Sequence, residues 1–341
     1  MPVKVAIVPA GQWGTALAVP LARRGHEVRL WFRSQRGAED FQARRENAAR
    51  LPWVKFPDNV TGTADLSEAL DEADMVVLAP ASSGLQAICR AVAPLLNRNA
   101  ILLSAVKALF FDGKDISSPD GAALASGVIA EELPDAARRL AVLSGPNFAL
   151  EVARELPAGT VVASRDEQVA RTVQDVLHTA RFRVWISTDV TGVELGGALK
   201  NVIAIAAGLS DGLGMGHNAR AALITRGLAE IGRLGAAMGA DPLTFAGMSG
   251  LGDLVLTCTS DLSRNRRAGI AIAQGKTVGE AVAAIGSTVE GIPTTRAAHT
   301  LAEKYGVEMP ITAEVYRVLY EGERPEVGME RLMTRAPTTE R

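Results

Sequence analysis

Five polar side chains in the second half of the chain have types and spacing that could do chemistry. Lys200 lies in an otherwise apolar, small-residue segment, where an unpaired buried ammonium would be costly. Asp253 follows a glycine-rich turn. Ser263, Arg264 and Asn265 are consecutive and together offer several groups that bind anions. A buried lysine needs a partner or a chemical role, and the consecutive cluster could bind an anion.

These features also have ordinary structural explanations. A lysine at a helix edge usually faces solvent, an aspartate after a glycine usually caps a helix, and a run of arginines usually forms a solvated surface. His217 is a further candidate for acid–base work in the same region. We expect His217 to be a turn residue. The choice between these explanations therefore depends on the elements that position these side chains.

The N-terminal segment VKVAIVPAGQWGTALA contains a variant of the dinucleotide-binding fingerprint. The sequence P-A-G-Q-W-G stands where the fingerprint has G-x-G-x-x-G, with an apolar strand before it and a helix after it. Gly11 can let the backbone approach a pyrophosphate, and Gly14 can let the helix pack closely on the strand. Pro9 replaces the first glycine, which a proline can do where φ is about −65°. The sequence predicts a nicotinamide dinucleotide site here.

The end of the second predicted strand favours NADP, with NAD possible. NAD-binding units usually place an acid there to bind the ribose hydroxyls. Here Arg33 and Ser34 follow the strand, and the first acid is Glu39. An arginine at this place suits a 2′-phosphate. The alternative is that Arg33 is one solvated surface arginine among many.

The composition is that of a globular protein large enough for two domains. The 341 residues are 48% hydrophobic, which is ample for a sizeable core. A formal net charge of −2 provides no basic field for nucleic acid or for an anionic membrane. Cys89 and Cys258 have neither disulfide nor metal-ligand spacing, which favours a reducing compartment. No run of about 18 uncharged apolar residues and no signal-peptide pattern is found, so we expect a cytoplasmic protein.

The pattern along the chain predicts an α/β fold. Apolar, strand-length runs alternate with helical patterns in the first half, which is typical of a doubly wound parallel sheet. The predicted strands are 5–8, 27–32, 75–79, 100–106, 140–143 and 160–164. Helical patterns predominate after residue 190. We expect a Rossmann-like dinucleotide-binding domain over 1–189, an all-helical substrate and catalytic domain over 190–341, and an exposed loop over 110–121.

Several longer stretches resemble one enzyme family closely. They are SGPNFALEVARELPA (144–158), ELGGALKNVIAIAAGLSDGLGMGHNARAALITRGLAEI (194–231), GLGDLVLTCTSDLSRNRRAG (250–269) and VEGIPTT (289–295). These stretches are similar to the bacterial type of NAD(P)-dependent glycerol-3-phosphate dehydrogenase. The resemblance extends to about residue 325. The stretch 250–269 is highly specific, whereas the glycine loop is not.

The resemblance implies an oxidoreductase that reduces dihydroxyacetone phosphate to sn-glycerol 3-phosphate with NAD(P)H. It also implies a homodimer, and a product that feeds phospholipid synthesis. Lys200, Lys107 and Asp253 fall on the family's catalytic positions, with Lys200 as the proton-transferring lysine. The implied substrate-binding residues are Lys107, Gly145, Asn147, Lys200, Asp253, Ser263, Arg264 and Asn265. The implied cofactor-binding residues are Gly11, Gln12, Trp13, Gly14, Arg33, Lys107, Ala149, Arg264 and Glu290.

Three positions depart from the family pattern. Pro9 stands for the first glycine, Ala108 for the glycine that usually follows Lys107, and Asn147 for the more usual serine. Since asparagine can still donate a hydrogen bond, the last change is conservative in function.

Two other functions remain open at this point. One is a β-hydroxyacid or 6-phosphogluconate type of dehydrogenase, which also has a catalytic lysine but would lack the 250–269 stretch. The other is a non-catalytic NADP-binding homologue, disabled at Pro9 and Ala108. The retention of Lys200, Asp253 and Arg264 favours the enzyme.

Overall fold

The computed structural model describes residues 2–111, 122–336 and 339, and these form two compact units. The first unit comprises residues 1–107 and 124–194, and the second comprises 108–123 and 195–341. Residues 108–111 thus group with the C-terminal part of the chain. Within the loop predicted over 110–121, Phe110 and Phe111 belong to a short strand, and residues 112–121 lie outside the described part.

Ten strands and fifteen α-helices are found in the described residues. The strands are β1 (Lys4–Val8), β2 (Glu27–Trp31), β3 (Val60–Thr63), β4 (Met75–Leu78), β5 (Ile101–Ser104), β6 (Leu109–Phe111), β7 (Ala122–Leu124), β8 (Leu140–Ser144), β9 (Ala158–Ala163) and β10 (Phe182–Ser187). The helices are α1 (Gln12–Arg23), α2 (Gln35–Arg44), α3 (Leu66–Leu70), α4 (Leu85–Val92), α5 (Ala125–Glu132), α6 (Ala149–Ala153), α7 (Glu167–Leu177), α8 (Val190–Gly212), α9 (Gly216–Ala237), α10 (Asp253–Thr259), α11 (Arg264–Ala273), α12 (Val278–Ile285), α13 (Gly291–Tyr305), α14 (Pro310–Tyr316) and α15 (Pro325–Met333).

An eight-stranded sheet forms the centre of the first unit. Its strand order is β10-β9-β8-β5-β4-β1-β2-β3. Every neighbouring pair is parallel except β8 and β9. The near-continuous burial of β1 and β4 fits a sheet covered by helices on both faces. The predicted α/β, Rossmann-like fold with a helical C-terminal part is confirmed.

The strand order places a topological switch point at β1. This strand lies between β2 and β4, so the chain leaves it in one direction and later returns on its other side. In doubly wound sheets, the crevice outside the carboxyl ends of the strands at such a point receives the ligand. The turn from β1 into α1, which carries Gly11 and Gly14, lies at this place.

Helix α8 is the longest helix in the described residues and is largely apolar. By length and composition alone it could cross a membrane, but 89% of its most apolar window is buried inside the protein. A largely apolar helix that is buried in this way is a core helix. Its small residues allow close packing within the second unit, because a Cβ at Gly208 would lie 2.0 Å from the Arg266 carbonyl oxygen of α11.

Candidate active site

The β1–α1 turn has the geometry that a dinucleotide fingerprint requires. A Cβ at Gly14 would lie 2.6 Å from the Pro9 carbonyl oxygen and 2.9 Å from Ile7 Cγ2, so glycine is needed for α1 to pack on β1. A Cβ at Gly11 would meet no protein atom closer than the Ala79 carbonyl oxygen, at 3.9 Å. The two glycines therefore serve different purposes. Gly14 admits the protein's own backbone, and Gly11 leaves open space beside the helix.

The turn closes without its usual first glycine. The Val8–Pro9 peptide bond is cis. The Gly11 N–H donates to the Pro9 carbonyl at 2.8 Å, and the Ala10 N–H donates to the Trp31 carbonyl of β2 at 2.7 Å. Gly11 is the N-cap of α1 with φ of −74°, and no side chain caps this helix end.

The residues at this edge fit a dinucleotide cofactor. An uncapped helix N-terminus offers backbone N–H groups and the positive end of the helix dipole, here at Gln12 and Trp13. The space beyond Gly11 is a cradle that a Cβ would fill. Arg33 follows β2 and is exposed, and its guanidinium lies over the turn at Gly84, 3.1 Å from where a Cβ would be. A positive charge is thus present on the side where β2 ends.

Lys107, Gly145 and Asn147 are brought together in the first unit. The Lys107 ammonium donates to the Gly145 carbonyl and to Asn147 Oδ1, both at 2.7 Å. Asn147 Nδ2 donates to Thr160 Oγ1 at 3.0 Å, and the Thr160 hydroxyl donates to the Ser144 carbonyl at 3.0 Å. The asparagine that departs from the family pattern therefore anchors Lys107. Ala149, also a predicted site residue, begins α6 just after this cluster.

Gly145 must be glycine for two reasons. Its φ of +149° is in a region that side-chain-bearing residues rarely adopt. A Cβ there would also lie 2.8 Å from Thr160 Cα.

Lys200 and Asp253 form a buried ion pair in the second unit. Lys200 is 6% exposed and Asp253 is 1% exposed. The Lys200 ammonium donates to Asp253 Oδ1 and, at 2.9 Å, to Thr257 Oγ1. The Thr257 hydroxyl in turn donates to the Asp253 carbonyl at 2.6 Å. The ammonium is therefore both buried and paired. The pairing offsets the free-energy cost of removing its charge from water.

Close backbone packing brings Asp253 to Lys200. Residues Met248–Gly252 form a π-helical turn that runs directly into α10, so Asp253 is the first residue of that helix. A Cβ at Gly196, one helical turn before Lys200 on α8, would lie 2.5 Å from the Ser249 carbonyl oxygen. Since Gly196 and Lys200 share a face of α8, this approach sets α10 against the lysine. Sequence analysis missed Thr257; the spacing of four residues from Asp253 on a helix was the available signal.

The cluster Ser263–Asn265 lies at the N-terminus of α11. Ser263 is the N-cap, and its hydroxyl oxygen accepts from the Arg266 N–H at 3.2 Å. Asn265 Nδ2 donates to Asn201 Oδ1 at 2.8 Å, and Asn265 Oδ1 accepts from the Gly291 N–H at 2.9 Å. Asn201 follows Lys200 on α8. The helix end that could bind an anion therefore lies beside the turn of α8 that carries the lysine.

Arg264 and Glu290 interact electrostatically in the second unit. Desolvation lowers the pKa of the Arg264 guanidinium, the negative charge of Glu290 acts in the opposite direction, and Arg267 lowers it further. The Arg264 side chain keeps solvent access, so the desolvation is partial. Glu290 is the N-cap of α13.

His217 lies in the first turn of α9, where its Nδ1 is 2.6 Å from Arg220 Nη2. Arg220 also binds Asp211, with its Nη1 3.0 Å from Oδ2. Asp211 accepts a second arginine, Arg266, at 2.7 Å. His217 is thus held at the edge of a charged network that joins α8, α9 and α11.

Two buried glutamates cap helices and have perturbed pKa values. Desolvation raises the pKa of Glu194 from 4.5 to about 7, although Ser126 hydrogen bonds at the start of α5 oppose the shift. Desolvation likewise raises the pKa of Glu230 to about 7. The Glu230 carboxylate accepts from the backbone N–H groups of Ile311 at 2.6 Å and Thr312 at 3.1 Å, at the start of α14. Neither glutamate was singled out from the sequence.

Comparison with known proteins gives one consistent result. Sequence models described as NAD-dependent glycerol-3-phosphate dehydrogenase N-terminus and C-terminus match residues 4–170 and 189–330. The glycerol-3-phosphate dehydrogenase [NAD(P)+] of Symbiobacterium thermophilum is 53% identical over 97% of this chain and 94% of its own length. That of Pelotomaculum thermopropionicum is 47% identical over 99% and 95%. The crystal structure of glycerol-3-phosphate dehydrogenase from Coxiella burnetii has a TM-score of 0.90 at 40% identity, covering 98% of this chain and 99% of that one.

Proposed function

This chain belongs to the NAD-dependent glycerol-3-phosphate dehydrogenase family, and we propose which of its residues carry the reaction. The protein is an oxidoreductase that reduces dihydroxyacetone phosphate to sn-glycerol 3-phosphate with NAD(P)H. When bound, the nicotinamide supplies a hydride to the carbonyl carbon. The protein must then bind the phosphate, place the carbonyl and deliver a proton to its oxygen.

Lys200 is the proton donor. An ammonium has three hydrogens, and Asp253 and Thr257 each accept one of them. The third can point to the carbonyl oxygen of the substrate, where negative charge develops during reduction. The buried lysine–aspartate–threonine cluster is the observation that carries this proposal. Asp253 orients the ammonium, and Thr257 fixes it from a second direction.

Lys107 adds positive charge near the substrate and cofactor. Asn147 holds its ammonium by a hydrogen bond of 2.7 Å, so the charge is presented from a defined place. Gly145 keeps this substrate loop close to β9 because a larger residue would meet Thr160. Ala149 contacts the nicotinamide side of the cofactor.

The N-terminus of α11 binds the substrate phosphate. It combines the positive end of a ten-residue helix with the Arg264 guanidinium and the Ser263 hydroxyl. Asn265 has given one amide hydrogen to Asn201, and its second hydrogen is the one available to the phosphate. Phosphate binding supplies remote binding energy that places the carbonyl for reaction.

The β1–α1 turn binds the cofactor diphosphate, and NADP is preferred. Gly11, Gln12, Trp13 and Gly14 form the turn and helix start, and Arg33 pairs with the 2′-phosphate. Arg264 and Glu290 are the further cofactor-binding residues that the family resemblance implies.

We further propose a functional division at residue 190, with cofactor binding in 1–189 and substrate binding with proton transfer in 190–341. A cytoplasmic homodimer that supplies glycerol 3-phosphate for phospholipid synthesis is the cellular form that fits this assignment.

The test is turnover of a Lys200→Ala variant, followed by the loss of NADPH absorbance on addition of dihydroxyacetone phosphate. We expect kcat to fall by about 10²- to 10⁴-fold, because the proton donor and its charge are lost. NADPH affinity, measured by fluorescence, should be unchanged. Lys276→Ala removes an exposed lysine of the same unit and is the matched control.

A second pair of variants protects this test against misfolding. Lys200→Ala leaves Asp253 buried without its cation, so the double variant Lys200→Ala/Asp253→Ala should fold at least as well. Thr257→Val keeps the side-chain shape and removes one acceptor, and should lower kcat by about tenfold. Turnover of folded Lys200→Ala within about tenfold of the wild type would refute the assigned role.

A further inference from the structure

The crossover between α2 and β3 contains a buried asparagine with contacts to the β1–α1 turn. Asn47 is 6% exposed. Its Nδ2 donates to the Ala10 carbonyl at 3.0 Å and to Thr15 Oγ1 at 2.8 Å. Ala10 is in the turn, and Thr15 is in the first turn of α1. One side-chain amide therefore joins the turn to the helix that follows it.

The bond to Ala10 restrains the peptide that leads into Gly11. The Ala10 carbonyl at one end of this peptide accepts from Asn47. The Gly11 N–H at the other end donates to the Pro9 carbonyl at 2.8 Å, and the Ala10 N–H donates to the Trp31 carbonyl at 2.7 Å. Because this peptide plane is held at both ends, the direction in which α1 starts is held with it.

The crossover is a firm support for Asn47. Leu51 and Phe56 on either side of its middle are 0% and 5% exposed. The Phe56 ring packs on Phe41 of α2 with centroids 5.6 Å apart, and the Phe56 N–H donates to the Arg45 carbonyl at 2.9 Å. A side chain anchored in this way can impose its geometry on the turn instead of following it.

We propose that Asn47 is a positioning residue for cofactor binding. It orients the Ala10–Gly11 peptide and the first turn of α1 so that the uncapped N–H groups point to the cofactor diphosphate. This inference rests on the proposed role of the β1–α1 turn. Asn47 itself acts through the turn, because both hydrogens of its amide are already donated within the protein.

The same crossover offers a matched control at its other end. Asn59 Nδ2 also donates two hydrogen bonds, to the Ala22 carbonyl at 3.0 Å and the His26 carbonyl at 2.8 Å. These partners lie at the C-terminal end of α1 and before β2, at the opposite end of the helix from the turn. Asn59→Ala thus removes equivalent bonds from the same segment without disturbing the start of α1.

The experiment measures NADPH dissociation constants and steady-state kinetics of Asn47→Ala and Asn59→Ala in the full-length protein. For Asn47→Ala we expect the NADPH dissociation constant and the KM for NADPH to rise about tenfold. The kcat and the KM for dihydroxyacetone phosphate should stay within about twofold. Asn59→Ala should lower the thermal unfolding temperature comparably and leave all four binding and kinetic constants near the wild-type values.

Two further variants make every outcome interpretable. Thr15→Val removes one acceptor of Asn47 while keeping the side-chain shape, and should raise the NADPH dissociation constant about threefold even if Asn47→Ala does not fold. Gly11→Ala tests the turn itself. If Gly11→Ala weakens NADPH binding and neither Asn47→Ala nor Thr15→Val does, Asn47 has no positioning role. If Gly11→Ala has no effect, the proposed cofactor site is wrong. Equal weakening by Asn47→Ala and Asn59→Ala would reduce the role of Asn47 to general stability.

Discussion

The two glycines of the β1–α1 turn should respond in opposite ways to the same substitution. Replacing Gly14 by alanine puts a Cβ 2.6 Å from the Pro9 carbonyl oxygen and 2.9 Å from Ile7 Cγ2. Replacing Gly11 by alanine puts a Cβ into space where the nearest protein atom is 3.9 Å away. Gly14→Ala therefore strains the protein itself, whereas Gly11→Ala fills only space that a bound ligand would occupy.

The magnitudes follow from these distances. Overpacking costs about 1–3 kcal/mol, which the better helix propensity of alanine partly offsets at Gly14. The closest atom to the new Cβ is a backbone oxygen that cannot rotate away, so we expect the upper part of the remaining range, a net loss of up to about 2 kcal/mol with a measurable fall in Tm. Gly11 has an ordinary φ of −74°, so alanine gains about 0.4–1 kcal/mol through the unfolded state. It loses a similar amount as a poorer N-cap, so Tm should be nearly unchanged.

Cofactor binding should be weakened more by Gly11→Ala than by Gly14→Ala, although Gly11→Ala leaves the stability nearly unchanged. The Gly11→Ala methyl group occupies the cradle, and the NADPH dissociation constant should rise at least about tenfold, which is about 1.4 kcal/mol. NADPH fluorescence titration and thermal unfolding, with and without NADPH, measure both quantities on the same samples. The reasoning is refuted if Gly11→Ala binds NADPH as tightly as the wild type. It also fails if Gly14→Ala has an unchanged Tm.

Two other predictions concern charge. Arg33→Ala should raise the KM for NADPH about tenfold or more and leave the KM for NADH nearly unchanged if, as we propose, the arginine pairs with the 2′-phosphate alone; equal effects on both cofactors would contradict this role. Glu230 has a folded-state pKa raised from 4.5 to about 7, so the folded protein binds more protons than the unfolded chain between these values. Its stabilising contribution is complete below about pH 4.5 and is lost as the pH rises through about 7, on the order of 3 kcal/mol in all. The free energy of unfolding between pH 5 and 8 should therefore fall less steeply in Glu230→Gln than in the wild type, and parallel curves would contradict the assignment.

Much of the first unit could be predicted from local sequence, because buried parallel strands are continuous apolar runs. The runs that became β1 and β4 were placed within a residue of their ends. The edge strand β10 was missed because its residues alternate between buried and exposed positions, so they form no continuous run. Strand β3 has only four residues, which are two threonines, a glycine and one valine, so it forms no apolar run that a local pattern could detect.

The site residues also divide into those that local sequence predicts and those that it does not. Gly11, Gly14 and Lys200 could be chosen from their immediate neighbours in sequence. The partners that hold them could not. Asn147 is 40 residues from Lys107, and Asn47 is 37 residues from Ala10, so no periodicity links them. Thr257 was missed because no helix was predicted over the residues after Asp253, and only on a helix does a spacing of four place both side chains on one face.

The contact between α8 and α11 fixes a distance within the second unit. A Cβ at Gly208 would lie 2.0 Å from the Arg266 carbonyl oxygen, and a Cβ at Gly269 would lie 2.3 Å from the Ile205 carbonyl oxygen, so main chain touches main chain. The separation between Lys200 and the N-terminus of α11 is therefore set by rigid backbone and cannot be adjusted by rotamer changes. Because we propose the proton donor at one end of this distance and the phosphate site at the other, we expect the enzyme to select substrates by the number of carbons between carbonyl and phosphate. A ketone phosphate with one more carbon between these two groups should then be reduced with a much lower kcat/KM, even though it carries the same functional groups.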